Sequence, residues 1–585
     1  MPKNTSKVIC FKIILISALG FIAIDAVHGQ VTQTVVPAPK SAPMAYRVWP
    51  STPPKGCPYK QSSDIRGIGF TGKHAEYANA DTWYPSWAAD GNMYSPWTDG
   101  SVNGLSSSSC GVDATTGYAT VRGDDPLMLL ITDQGIWKSS PEPYGGRYPC
   151  GSLVYDGIWY YGTYCLMNEG GSNTPDVTTP TGRYNWGVLG PFVGFRYSRD
   201  FGKTWTETSC TPAKPIFPEP AKRGDKVKMG SPHFVDFGRN MQYSPDGKAY
   251  LVGHGAADPD PLPRPANASW ITGDQVYIAR VTPGPDTIND AKSYEFFGGN
   301  DASGKPVWTR DFARMKPLFD WNNHCGCVTM TYNAPLRKFL MCITDGWPTV
   351  ETFDSYILES DNITGPWKMI SYMRKFGEQG YFLNIPSKFI SADGRTAWIC
   401  YADNFTGSYR GIKIRTDPPG GRYGMCLQQI RLLAPSDPIP VPGALEGVSN
   451  LALTARVTSS SVHPDYTTAG ATDGVVDGYP GDISHEWATN GETDSAMIRL
   501  TWSEEQTVGR VLLFDRPNEL DRVLSGMLIF SDGSTIPVGA LPDDAKTGLE
   551  VKFPPRKIRW VIFVITAVKP SSQNIGLSEI AVFER

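Results

Sequence analysis

The stretch DGNMYSPWTDG, residues 90–100, opens on an Asp-Gly turn signal, runs through a strongly apolar strand and stops at small and polar residues. The same pattern returns at DGIWYYGTYC (156–165), DGKAYLVGHG (246–255), APLRKFLMCITDG (334–346) and DGRTAWICYADN (393–404). Four copies use Asp-Gly, which tolerates positive φ and marks a hairpin when strand formers flank it. The copy at 334–346 substitutes a proline-containing turn. A multi-stranded antiparallel unit recurring along a chain is the sign of a β-propeller, and five copies predict five blades. Pro85, Pro232 and Pro386 lie in or beside the strands that precede these turns. Proline has no N–H to donate and belongs on edge strands, and the innermost strand of a blade is such an edge. A β-sandwich with proline-marked edges is the competing reading.

Composition narrows the function. Lys3, Lys7 and Lys12 precede the apolar run Ile13 to Ile24 and the small residues before Gln30, the layout of a signal peptide over 1–29. The run is too short for a comfortable membrane span, so the expectation is a secreted protein. Cys10 falls in that leader, and the other ten cysteines all precede residue 434. An even number in an exported chain favours disulfides. A net charge of −4 with no basic stripe argues against nucleic acid and anionic membrane as partners. The proline-rich stretch APSDPIPVPG (434–443) reads as a stiff connector. The expected organisation is an extension over 30–63, a propeller over 64–433, a linker over 434–445 and a second domain over 446–585. RVLLFDRPN, SGMLIFSDGSTIPVG, RWVIFVIT and LSEIAVFE make that second domain a β-sandwich, so the whole chain reads as all-β.

The candidate chemistry sits in the first hairpin, ADTWYPSWAADGNMYSPWTDG (80–100). Folding back at Asp90-Gly91 brings Asp81 and Asp99 to its open end. A two-residue loop places Thr82 opposite Asp99 and turns the acids to opposite faces. A three-residue loop or a bulge sets Asp81 and Asp99 across from each other. Two close carboxyls suit glycoside hydrolysis, one protonated to supply the leaving oxygen, the other ionised to attack or activate water. Like charges at short range push the two pKa values apart. Trp83 and Trp97 are candidate sugar-stacking residues. Turn capping by the acids and core packing by the aromatics is the structural alternative.

Resemblances add to this. SRDFGKTW (198–205) is similar to the Asp-box of sialidases and other propellers, a structural turn between outer strands. Residues 64–430 resemble the endo-D-arabinanase-type glycoside hydrolases, five-bladed propellers. The resemblance is carried by residues 80–100, GSPHFVDFGRNMQYSPDGKAYL (230–251), 274–308 and VTMTYNAPLRKFLM (328–341). It implies that Asp81 and Asp99 are that family's two first-blade aspartates, with an arabinan-type furanoside among the substrates; it departs where WTDG replaces the family's FGD. ATDGVVDG (471–478), EWATNG (486–491), FSDGS (530–534) and NIGLSEIAVFE (574–584) resemble the discoidin or coagulation-factor type C domains, jelly rolls. That resemblance implies binding of glycan, for instance at a cell surface.

Further candidates are His254 and Asp345, which end apolar strands as Asp99 does, with Asn384 and Asp403 from the fifth blade as hydroxyl ligands. His233 is a candidate proton shuttle or substrate contact. Residues 169–187 are strand-poor, a candidate lid offering Tyr184 and Trp186. HCGC (324–327) resembles a metal motif, but no second ligand pair follows at zinc spacing, so no metal and no cofactor is expected. The leading expectation is a secreted hydrolase of a polysaccharide. A polysaccharide lyase with a Tyr or His base and a non-enzymatic lectin are the alternatives.

Overall fold

At Asp156-Gly157 both residues adopt positive φ (49° and 74°), and Tyr155 faces Ile158 across a two-residue loop. That mirror-image turn matches the twist of the strands it joins, Gly146–Tyr155 and Ile158–Met167. Antiparallel hairpins set the pattern of the described part of the 42–440 unit. The computed structural model describes residues 31–37, 46–167, 177–179, 182–184, 188–219, 226–256, 269–347, 352–403, 418–437, 444–445, 448–479, 481–518, 520–544 and 547–584. The chain divides into two compact units, 42–440 and 441–585 together with 1–41. Helical structure among the described residues is limited to short 3-10 turns, and none is long and apolar enough to cross a membrane.

Five antiparallel sheets form a five-bladed propeller. The innermost strands, in order, are Asn79–Asp81 with Ser86–Trp87, Gly146–Tyr155, Gly230–Phe234, Val328–Asn333 and Tyr381–Asn384. Each pairs with the apolar strand that the sequence pattern marked, among them Met93–Val102 in blade 1 and Thr396–Ala402 in blade 5. The ring is closed by the N-terminal strand Ile68–Tyr77, which pairs with Met425–Leu432 as an outer strand of blade 5. Inner strands are sheet edges whose backbone groups need partners from outside the sheet. The next blade supplies them: Thr329 and Thr331 donate to the carbonyls of Leu383 and Ile385 (2.6 and 2.7 Å), and Ser86 Oγ accepts from Val154 N (2.8 Å). The three prolines fall where no ladder N–H is missed.

Two sequence expectations change. The stretch 30–63 is no separate extension: Thr32–Pro37 pairs with Thr547–Val568 of the sandwich, while Arg47–Val48 joins blade 5. The expected disulfides are absent among the described residues: the ten cysteines are free thiols, seven of them buried. Cys342, Cys400 and Cys426 behave as small apolar core residues between blades.

The second unit is a β-sandwich. Its main sheet runs Arg456–Ser459, Met497–Phe514, Thr547–Val568, Val523–Phe530, Thr535–Val538, with Glu579–Phe583 alongside Met497–Phe514. Its core gathers Trp487, Ile498, Leu500, Leu528, Val561, Phe563 and Ile580. The predicted leader 1–29 and residues 438–443 of the linker lie outside the described residues.

Candidate functional site

The hairpin that carries the acids has a three-residue loop, with Ala88 N bonded to Asn92 O (2.9 Å) and Gly91 at φ 90°. Asp90 fixes it, accepting from Asn92 N (2.9 Å) and Tyr94 OH (2.7 Å). The register Trp87 to Met93 and Ser86 to Tyr94 follows from that loop. Farther along it slips: Asp81 faces Thr98, and Asn79 faces Ser101. The extra residue is a bulge at Asp99-Gly100, with Asp99 itself at φ 47°. Gly100 permits this, since a Cβ there would lie 2.0 Å from Asn79 O.

The bulge brings the two acids into one polar nest with Tyr423. Asp81 is buried, its Oδ1 accepting from Thr82 Oγ1 (2.8 Å) and its Oδ2 from Tyr381 OH (2.9 Å). Asp99 is half-buried and accepts from Ser109 N (2.7 Å) and Ser109 Oγ (2.5 Å). Tyr423 donates to the Asp99 carbonyl and also touches the Asp81 carboxyl, so one phenol spans both. Burial, then the charge of Asp99, pushes Asp81 up to about 8, against the hydrogen bonds from Thr82, Tyr381 and Tyr423. Burial raises Asp99 too, and the two bonds from Ser109 oppose it. The environments divide the pair: Asp81 keeps its proton near neutrality, while Asp99 has an amide and a hydroxyl ready for its charge. Thr82 and Asp99 both adopt positive φ (66° and 47°), which is uncommon for residues other than glycine. Strain of that kind persists where the surroundings over-determine it, commonly at functional sites.

The other candidates disperse. Trp83 and Trp97 are 2% and 0% exposed and pack between blades 5 and 1 against Trp398, Cys400 and Leu427. Their indole N–H groups go to Ala80 O (2.7 Å) and Asp133 Oδ1 (3.1 Å), so they are core residues and not sugar platforms. His233 lies within the channel, Nε2 facing Ser231 Oγ (3.3 Å) and Cys327 Sγ (3.4 Å), its ring against Tyr84. Burial, with His254 nearby, holds it far below its ordinary value and neutral. His254 is fully buried with Nε2 on Ser269 O (2.8 Å). Asp345 is buried in a cluster of its own, accepting from Tyr372 OH (2.7 Å) and paired with His324 Nδ1 (2.5 Å). Asn384 ties blade 5 to blade 1 through Trp83 O (3.0 Å), and Asp403 accepts from Gln379 N (3.2 Å). Trp186 lies outside the described residues; the candidate lid holds a small hairpin, Val177–Thr179 against Gly182–Tyr184.

Tyr381, Tyr423 and Ser109 were not singled out from the sequence. Tyr381 starts the innermost strand of blade 5, whereas Asp81 ends its strand in blade 1, so no shared position in the pattern marked it. In HCGC the side chains diverge, His324 to Asp345, Cys325 to Trp321 O and Cys327 to Tyr84. Asp64, Glu359 and Asp361 converge, but Lys338 Nζ lies 2.5, 2.9 and 2.7 Å from them and supplies the positive charge. The Asp-box turn is a scaffold: Asp200 accepts from Thr204 N (2.8 Å), Thr204 Oγ1 (2.6 Å) and Ser198 Oγ (2.7 Å).

Residues 450–583 match the family model described as Domain of unknown function (DUF7402). No curated protein matches the chain. Similar solved structures, over the C-terminal region, include chitosan-binding module 1 of a chitosanase/glucanase from Paenibacillus sp. IK-5 (22% identity, 23% of this chain and 97% of that one, TM-score 0.18). Others are CpGH89CBM32-5 from Clostridium perfringens with GalNAc-β-1,3-galactose (18%, 23% and 99%, TM-score 0.20) and a Streptococcus pneumoniae fucose binding module (20%, 24% and 98%, TM-score 0.20).

Proposed function

We propose that the propeller is a glycoside hydrolase acting on a polysaccharide, with an arabinan-type furanoside as the first substrate to try. The observation that carries this reading is the Asp81/Asp99 pair, two carboxyls close enough for the charge of Asp99 to raise Asp81, with Ser109 donating two hydrogen bonds to Asp99 alone. Asp81, deep and facing phenols, is the proton donor to the leaving oxygen. Asp99, half-buried and held by the amide and hydroxyl of Ser109, attacks the anomeric carbon or activates water. Tyr381 and Tyr423 hold Asp81 in place. The sandwich is the glycan-holding appendage that its discoidin-like motifs imply, and the lysine-flanked leader makes the enzyme an exported one.

The two histidine bases of the lyase alternative, His233 and His254, are 2% and 0% exposed, which leaves that reading a tyrosine base. A lectin has no use for a buried carboxyl kept protonated. Incubating the protein with purified arabinans and a wider polysaccharide panel, and analysing released sugars, tests the reading. Saturated reducing ends support it; unsaturated products absorbing in the ultraviolet point to a lyase, and binding without release to a lectin.

A further inference from the structure

The outer part of blade 3 carries a second cleft, separate from the Asp81/Asp99 nest, with about 1010 Å³ of open space. The segment leading to the inner strand supplies Phe217, Lys226 and Lys228; the 3-10 turns Ala291–Ser293 and Phe312–Arg314 supply Lys292 and Phe312, with Arg310 just before the latter. Among the described residues Lys226, Lys292 and Arg310 have no ion-pair partner. Lys228 Nζ donates to Ala313 O (3.2 Å) and lies 5.6 Å from the centre of the Phe312 ring. The two acids of the cleft are committed to backbone: Glu219 accepts from Met229 N (2.7 Å) and Lys228 N (3.1 Å), and Asp311 from Ala313 N (3.0 Å). Burial moreover pushes Glu219 up to about 7, which reduces its negative charge.

Four cations against two acids give the described lining of this cleft a net positive charge on a chain of net charge −4. The floor is aromatic: Phe217 stacks on Phe312 at 5.4 Å and 18°, and Phe312 keeps part of its surface open. Separated donors of positive charge around a flat apolar floor suit a ligand with ring faces and spaced anionic groups.

We propose that this cleft binds a segment of an anionic polysaccharide, its carboxylate or sulfate groups on Lys226, Lys292 and Arg310 and a sugar face over Phe312. The choice of a polysaccharide rests on the hydrolase reading; the preference for negative charge does not.

The test measures binding of polygalacturonate and its methyl ester, and of dextran sulfate and dextran, by calorimetry, with full-length wild type, Asp81→Asn and the triple variant Lys226→Gln/Lys292→Gln/Arg310→Gln. The three substituted side chains are surface groups, and an unchanged melting curve confirms that the triple variant folds. At least one charged polymer should bind tenfold or more tightly than its neutral counterpart, weaken with added salt, and lose tenfold in the triple variant. Which charged polymer binds tells carboxylate from sulfate. Asp81→Asn should bind like wild type, and the triple variant should cleave neutral glycans at the wild-type rate. Equal affinity for charged and neutral polymers, or binding unchanged in the triple variant, overturns the proposal. So does an oligonucleotide of equal charge that binds more tightly than either polymer. Wild type that cleaves no glycan at all sinks the hydrolase reading and leaves the binding result readable.

Discussion

Replacing Gly100 by alanine tests whether the bulge in blade 1 builds the site. The added Cβ would lie 2.0 Å from Asn79 O and 2.6 Å from Ala80 Cα, both backbone atoms of the facing strand. Side-chain carbons essentially never approach closer than 3.0 Å, so the strands must part by at least 3.0 − 2.0 = 1.0 Å. Asp81 follows Ala80 and Asp99 precedes Gly100, so the whole displacement falls between the two carboxyls. A misplacement of ~1 Å costs on the order of 100-fold in rate, which is about 2.7 kcal/mol of barrier. Overpacking costs a further ~1–3 kcal/mol of stability. Sugar release from arabinan should therefore fall about 100-fold while the melting transition stays cooperative. Gly67→Ala is the control, because its Cβ meets only Leu433 Cδ1 at 3.7 Å. Gly100→Ala protein with full activity would refute the claim that the bulge sets the geometry of the pair.

Removing the Tyr381 phenol takes away a donor that lowers Asp81, so in Tyr381→Phe the alkaline limb of kcat/KM against pH should move to higher pH. Ser109→Ala removes a donor that lowers Asp99, and the acid limb should move up as well. Asp81 has its folded-state pKa raised, so its contribution to stability is full below the ordinary carboxylate range and lost as pH rises through about 8. Asp81→Asn should accordingly melt higher than wild type at pH 9 and show little gain at pH 4, in a thermal scan. Trp97→Ala should cost ~3–5 kcal/mol in denaturant titrations, whereas a sugar platform would raise KM with stability untouched. Asp200→Ala should lower the melting temperature and leave kcat/KM alone, because that carboxylate only ties the 198–206 turn.

The hairpin pattern was legible because Asp-Gly turns and apolar strands are local signals, and inner-strand prolines report an edge without knowledge of the partner. Ring closure by Ile68–Tyr77 was not legible, since pairing across more than three hundred residues leaves no local mark. Asp81 and Asp99 stood out through their place in one hairpin, but their register depended on a bulge that only Gly100 hinted at. Trp83 and Trp97 were misread for a physical reason. Aromatic residues next to acids look alike whether they face sugar or the neighbouring blade, and strand alternation flips wherever the register slips. Tyr423 belongs to blade 5 and meets blade 1 only through ring closure, so nothing near it in the chain announces the acids. The disulfide reading failed because even cysteine counts say nothing about which thiols a β-propeller turns toward each other.

The most direct test of the account is turnover of the best substrate from the polysaccharide panel by wild type, Asp81→Asn and Asp99→Asn, each with its melting curve. Both variants should remain folded and lose at least ~10²–10⁴ in rate. A folded variant of either aspartate that releases sugar as fast as wild type would contradict the paired-carboxyl mechanism.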